Sequence, residues 1–248
     1  MTIVAGKDVA LVTGASGGMG RAIVQALVRR GMAVLLTARN AEPLEQAARE
    51  VTREGGSVLT HAADLSADDG IRGLAAVVAS RLGRLDVLVH AAGVIRLGNV
   101  ETASESDLDL QYRVNVRAPF LLTKELLSLL RASRGQVLFV NSTAGLAGGP
   151  DNVLYAATKH ALRALAAGIR DHVNADGIRV ISVFPGRTAT PMQEAVHRAE
   201  ARTYDPTSLM QPSDVAEVVS SALFLPRTAE VTDVILRPMN KPSPMESK

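Results

Sequence analysis

The chain has 248 residues, 47% of them hydrophobic and 21% charged, with 27 Lys and Arg against 25 Asp and Glu. This is ordinary composition for one folded α/β domain, and it excludes disorder as the main state and any strong nucleic-acid footprint. With no Cys, disulfides, thiol nucleophiles and Cys-ligated metals are excluded together.

Short β-rich runs alternate with longer helical patterns along the chain. Asp8–Thr13 predicts a buried strand, and a helix over Gly20–Arg30 follows, with Ile23, Val24, Leu27 and Val28 on one face. Ala33–Thr37 predicts the second strand, Ala41–Glu54 the second helix, Ser57–His61 the third strand and Ala67–Leu82 the third helix. Asp86–His90 is the fourth strand expected, followed by a helix at Ala118–Leu130 and a strand at Gly135–Asn141. A long Ala-rich helix is expected at Leu154–Asn174, a strand at Ile178–Phe184, a helix at Ser213–Phe224 and a last short strand at Val231–Leu236. Strands that are apolar throughout have both faces covered, and strands separated by helices imply right-handed crossovers. The expected fold class is therefore α/β, a single doubly wound Rossmann-type domain with a parallel sheet flanked by helices. It spans residues 1–240, with a substrate lid at about 187–210 and a flexible polar tail at 241–248. No secretory signal is read in Met1–Lys7, and no apolar run of about 18 residues predicts a membrane span, so a cytoplasmic protein is expected.

The first strand runs into Thr13-Gly14-Ala15-Ser16-Gly17-Gly18-Met19-Gly20 and then a helix. Glycines let main chain approach a phosphate closely, and a helix N-terminus adds aimed N–H groups and partial positive charge. In the first strand–helix turn of an α/β chain, this predicts a dinucleotide pyrophosphate site at Gly14, Ser16, Gly18, Met19 and Gly20. An acid that would hold an NAD ribose is missing after the second strand, where Thr37-Ala38-Arg39-Asn40 stands instead. Arg39 offers a planar cation for a 2′-phosphate, so NADP(H) is the cofactor expected.

The TGxxxGxG spacing resembles the short-chain dehydrogenase/reductase family, in its NADP-dependent branch. The resemblance extends from Lys7 to about Pro238 through Val114-Asn115, Asn141-Ser142-Thr143-Ala144-Gly145 and Tyr155-Ala156-Ala157-Thr158-Lys159. Singly, Tyr155 reads as a surface Tyr at a helix start, Lys159 as a solvated charge, and Ser142 and Asn115 as caps. Together they match the family's catalytic tetrad, which the resemblance assigns to Asn115, Ser142, Tyr155 and Lys159. Their spacing puts Tyr155 and Lys159 on one helix face.

The resemblance implies an NADP(H)-dependent oxidoreductase that interconverts a carbonyl and a secondary alcohol. Tyr155 would be general acid/base, with a neighbouring Lys159 ammonium lowering its pKa. Lys159 would also hold the nicotinamide ribose, Ser142 would orient the carbonyl oxygen, and Asn115 would hold a water that relays protons to Lys159. Asp64 and Leu65 take the family's adenine-side positions, with a turn or helix cap as the other reading of Asp64. After the fourth strand the family's NNAG is replaced by His90-Ala91-Ala92-Gly93, which keeps Ala92 and Gly93 for close backbone approach. Pro185, Gly186, Thr188 and Thr190 fit the PGxxxT segment that holds the carboxamide.

Arg187 stands where an aliphatic residue is common. Solvent is its expected surrounding, with a substrate carboxylate or phosphate as the alternative. His90 is expected to be a packed strand-end residue. The ending Ala229–Lys241 lacks a VDGG-type tail and resembles the hydroxy-acid, serine dehydrogenase and sepiapterin-reductase-like branches.

A small-molecule carbonyl or alcohol is the partner expected, with no nucleic acid, membrane or metal. Family members pair two helices across a two-fold axis, so a homodimer or homotetramer is expected. Leu121, Leu122, Leu126, Leu129 and Leu130 would form one paired face, and Ala156, Ala157, Ala161, Ala164, Ala167 and Gly168 the other. The alternative to an enzyme is a catalytically silent NADPH-binding sensor or scaffold of the same fold.

Overall fold

Seven strands form one parallel sheet in the order β3-β2-β1-β4-β5-β6-β7. They are Val9–Thr13 (β1), Ala33–Ala38 (β2), Ser57–Ala62 (β3), Val87–His90 (β4), Gln136–Val140 (β5), Arg179–Pro185 (β6) and Asp233–Leu236 (β7). The structure is a computed structural model, and it describes residues 6–239. The expected tail at 241–248 lies outside the described residues.

The helices are Gly18–Arg29 (α1), Ala41–Arg53 (α2), Asp68–Arg81 (α3), Glu105–Tyr112 (α4), Ala118–Ser133 (α5), Val153–Val173 (α6), Pro191–Ala199 (α7) and Pro212–Leu223 (α8). All seven strands coincide with those expected from continuous apolar runs. The reason is visible in β1. Ala10 and Val12 enter one core layer with residues of α1, α2 and α8, whereas Leu11 enters the other with residues of α3, α5 and α6. A strand covered on both faces has no polar side to alternate with. Each fully buried Leu or Phe in these layers contributes about 1.5–3 kcal/mol.

Two helices differ from expectation. α4 and the π-helical turn that continues it, Arg113–Arg117, occupy a stretch with no apolar stripe, and Gln111 is the one buried residue of α4. α7 lies inside the segment read as a polar lid. The two ends of this segment meet. The Ala189 N–H donates to the Met210 carbonyl at 2.7 Å, and a parallel bridge joins Thr188 to Met210, so the excursion is closed at its base.

The chain builds outward in one direction from β1 through β3, and in the other from β4 through β7. Between β1 and β4 the order reverses. In such sheets the crevice at this point, beyond the carboxyl ends of the strands, is where ligands bind. Among the described residues no helix is long and apolar enough to cross a membrane.

Candidate active site

At the switch point the glycine loop leaves β1 and turns into α1. Gly14 has φ 65°, and a Cβ there would sit 2.8 Å from the Ala92 backbone. A Cβ on Gly20 would lie 2.2 Å from the Gly14 carbonyl oxygen. Both positions are closed to larger residues, which keeps the loop tight against the turn after β4. The N-cap of α1 is Gly17, with no side-chain cap and no acid in the first turn. The first N–H groups of α1 therefore lack side-chain acceptors, and the helix end keeps its partial positive charge.

These residues line a cleft of about 460 Å³ together with Arg39, Asp64, Leu65, Ala92, Gly93 and Thr190. No ion pair engages Arg39 among the described residues, and its charge helps hold the Asp64 carboxyl down. The larger cause there is Ser66, whose N–H and hydroxyl donate to Asp64 Oδ1 at 2.9 and 2.7 Å. Asp64 thus closes a turn and lines the cleft at once. The orphan helix N-terminus, the glycine cradle and the unpaired guanidinium fit a dinucleotide diphosphate with a further phosphate on its ribose.

The turn after β4 is held without the family's two Asn. The N–H groups of Ala91 and Ala92 both donate to Thr13 Oγ1 at 3.0 Å, and Asn115 Oδ1 accepts from the Val94 N–H at 2.9 Å. The Asn115 amide donates to the Val94 carbonyl at 2.9 Å and to Thr158 Oγ1 at 3.1 Å. Both amide hydrogens of Asn115 are thereby used, so its side chain has no donor left for a water. It ties the β4 turn to α6 from within the π-helical turn. His90 packs as expected, stacked on Phe139 with centroids 4.9 Å apart and hydrogen-bonded to Thr123 Oγ1 at 2.9 Å. Burial pushes its pKa down to about 3, so it is neutral.

Ser142 follows β5 and caps the short 3₁₀ turn Thr143–Gly145, accepting from the Ala144 N–H at 3.1 Å. Asn141 donates to the Lys159 carbonyl at 3.1 Å, and a Cβ on Gly145 would meet that carbonyl at 2.8 Å. Only a glycine lets this turn pack so closely on α6. Ser142 and Tyr155 then line a second cleft of about 180 Å³ with Pro185, Gly186, Arg187, Thr188 and Thr190. Met19, Thr190 and Met192 line both clefts, which places the two side by side.

Lys159 is buried behind them and donates from Nζ to the Val140 carbonyl at 3.1 Å. Its Nζ lies 5.7 Å from the centre of the Tyr155 ring. Burial pushes Lys159 down to about 8. The expected lowering of Tyr155 by Lys159 does not hold here. Burial pushes the phenol up to about 12, opposed only by hydrogen bonding with Ser142.

Thr190 caps α7, accepting from the Gln193 N–H at 3.1 Å, and its methyl group faces the position of a Gly18 Cβ at 3.2 Å. Thr188 is buried and donates to the Gly186 carbonyl at 3.1 Å. Arg187 is not left to solvent. Its Nη2 donates to Glu200 Oε1 at 2.8 Å, at the end of α7. Sequence reasoning did not identify Thr13, Ile95, Leu97 or Glu200 as site residues. Thr13 opened the glycine segment, but its partners lie 78 and 79 residues on, and no local pattern marks Glu200.

The family profile for the short chain dehydrogenase matches residues 8–201. The mouse (Mus musculus) dehydrogenase/reductase SDR family member 11 is 32% identical over 92% of this chain and 93% of its own length. The sepiapterin reductase of Chlorobaculum tepidum is 31% identical over 94% of this chain and 96% of its own. The crystal structure of an alcohol dehydrogenase from Thermococcus sibiricus, complexed with 5-hydroxy-NADP, superimposes with a TM-score of 0.86 at 30% identity, covering 96% of this chain and 99% of that one. With its switch-point clefts and this breadth of likeness, the chain belongs to the short-chain dehydrogenase/reductase family.

Proposed function

We propose that the protein is an NADP(H)-dependent oxidoreductase that interconverts a carbonyl compound and a secondary alcohol. The observation that carries this is the adjacency of the two clefts. Ser142 and Tyr155 face the smaller one, and the walls it shares with the glycine cleft are Met19, Thr190 and Met192. The Thermococcus relative's NADP derivative supports the same cofactor for this chain.

The glycine loop and α1 N-terminus would hold the diphosphate, Arg39 the 2′-phosphate, Asp64 and Leu65 the adenine side, and Thr190 with Pro185, Gly186 and Thr188 the nicotinamide end. Bound there, the cofactor supplies or accepts the hydride. Ser142 orients the carbonyl oxygen. Tyr155 donates the proton to that oxygen in reduction. A phenol pushed up to about 12 stays protonated at neutral pH, which is the form the donor needs. Lys159, at about 8, is mostly protonated at neutral pH and replenishes Tyr155. A water reaching Lys159 would be held by main chain near Asn115, because the Asn115 amide is already engaged. Asn115 is thus a positioning residue.

The test is NADPH consumption against a panel of ketones, aldehydes, hydroxy acids and steroids, with wild type and Tyr155→Phe side by side. Turnover by the wild type alone supports the reading. A panel without any turnover, in a protein that binds NADPH, removes it.

A further inference from the structure

At the edge of the sheet opposite the cofactor cleft, the amino ends of β5 and β6 border another cavity. It measures about 530 Å³ and is lined by Arg134, Arg179 and Arg227, with Glu230, Asn174 and Gly177 among its other walls. Three guanidiniums against one carboxylate leave two positive charges there. None of the three arginines forms an ion pair among the described residues. The acids beside the cavity in the chain are engaged elsewhere. Asp176 pairs with Arg131 at 2.7 Å, and Asp86, whose carbonyl accepts from the Gln136 N–H, pairs with Arg84 at 2.7 Å. Glu230 itself accepts from the Val180 N–H at 2.9 Å and from the Asn174 amide at 3.0 Å.

Arg179 is the buried member of the three. Its Nη1 donates to the Ala229 carbonyl at 2.9 Å, and its Nη2 to the Leu223 carbonyl at 2.8 Å and to Gln136 Oε1 at 2.6 Å. All are neutral acceptors. Burial, and after it the Arg227 charge, disfavours the protonated guanidinium, with Glu230 opposing. Arg179 acts on the cavity through its charge alone, since its free Nε is buried. The cations open to a ligand are Arg134 and Arg227, both exposed. Arg227 Nη1 donates at 3.4 Å to the Gly135 carbonyl, one residue from Arg134, and the same oxygen accepts the Arg179 N–H. The Arg134 stem runs along the facing wall, where a Cβ on Gly177 would lie 3.5 Å from Arg134 Cδ. Arg134 also ends α5 in the left-handed region, at φ 48° and ψ 49°. Glycine is the usual occupant of such a cap, and a side chain there is strained. The strain falls on a residue whose guanidinium makes no hydrogen bond among the described residues.

A phosphate monoester near neutral pH carries close to two negative charges, and its oxygens match the planar fork of a guanidinium. The cavity has room for more than the phosphate itself. We propose that Arg134 and Arg227 bind the phosphate group of a small phosphorylated metabolite, at a site separate from both catalytic clefts. Arg179 adds long-range attraction, and Glu230 with Asn174 shapes the wall. The proposal does not rest on the carbonyl-reducing function. Bound there, the ligand stabilises the fold by mass action without displacing cofactor or substrate.

The experiment titrates phenyl phosphate, with benzoate as the carboxylate control, into full-length protein saturated with NADPH, so that the glycine cleft is already filled. Calorimetry reads the affinity, and thermal unfolding reads the stability with and without phenyl phosphate. The expected result is one saturable site per chain, about tenfold or more tighter for phenyl phosphate than for benzoate. Arg134→Gly and Arg227→Ser should each weaken phenyl phosphate by about tenfold or more and leave NADPH affinity unchanged. Arg134→Gly has a second reading. Glycine relieves the left-handed cap, so this variant should keep or raise the wild-type Tm while losing the gain that phenyl phosphate gives. Absence of saturable binding overturns the proposal. So does benzoate bound as tightly as phenyl phosphate, or phenyl phosphate binding that survives Arg134→Gly/Arg227→Ser. A lower Tm for Arg134→Gly with phenyl phosphate affinity retained also overturns it, by making Arg134 a structural residue.

Discussion

Burial acts in opposite senses on the two titratable side chains that face each other from α6. It raises Tyr155 to about 12 and lowers Lys159 to about 8, in each case by disfavouring the charged form. For Lys159 the folded-state value lies below the ordinary 10.5. The neutral amine is therefore accommodated above pH 10.5 without penalty. Stability is lost as the pH falls from about 10.5 to about 8, where the unfolded chain is protonated and the buried amine is not, and the loss is complete once both states are protonated below about 8. Without cofactor, the stability of wild type relative to Lys159→Met should rise by about 2–3 kcal/mol between pH 7 and pH 10. Urea unfolding at the two pH values measures it, and a constant difference would refute the shift. Ser142, Tyr155 and Lys159 were legible because four-residue spacing fixes a helix face and the segments around them match a family pattern. The roles of Asn115 and Thr13 were not, since each acts through hydrogen bonds to chain far away in sequence. Arg187 was misread for the same reason, its partner Glu200 being 13 residues on, at the end of α7.

Among the elements, the turn from β2 into α2 is where the proposed function has the cofactor chosen. Arg39 lines the glycine cleft there without an ion-pair partner among the described residues. One guanidinium–phosphate bond contributes about 1.5–3 kcal/mol, which is tenfold or more in affinity. NADPH should therefore exceed NADH in kcat/KM by at least about tenfold, and Arg39→Asp should reverse the order. A wild-type preference for NADH would remove Arg39 from that role. The strands were legible from sequence because two-sided burial demands unbroken apolar runs. α4 was not, because it carries no apolar stripe, and α7 was not, because its stripe of Met192, Ala195, Val196 and Ala199 is short and half alanine. Their start signals were nevertheless present. Ser104 accepts from the Asp107 N–H at 3.1 Å, and Thr190 followed by Pro191 caps α7. Capping chemistry finds such helices where periodicity fails.

For the whole molecule, the face of α5 expected to pair with a second copy is only partly available. Leu122, Leu126 and Leu130 point into the core, and Ala156 of α6 is buried as well. What α4 and α5 leave exposed is Leu108, Tyr112 and Phe120, at 44%, 50% and 44%. Apolar groups this exposed on adjoining helices suit a self-complementary interface. Light scattering should give a mass of two or four times 26.1 kDa, and Phe120→Asp should shift it toward the monomer. A wild type of 26.1 kDa would contradict an oligomer.

The order of strands puts every proposed role at one end of the sheet, and the chemistry there comes down to a single phenol. The most direct measurement is kcat/KM for ketone reduction by Tyr155→Phe, with NADPH affinity determined on the same preparation. The account predicts unchanged folding, NADPH affinity within about threefold, and a rate lower by about 10²–10⁴-fold. A variant that keeps most of the wild-type rate would contradict it.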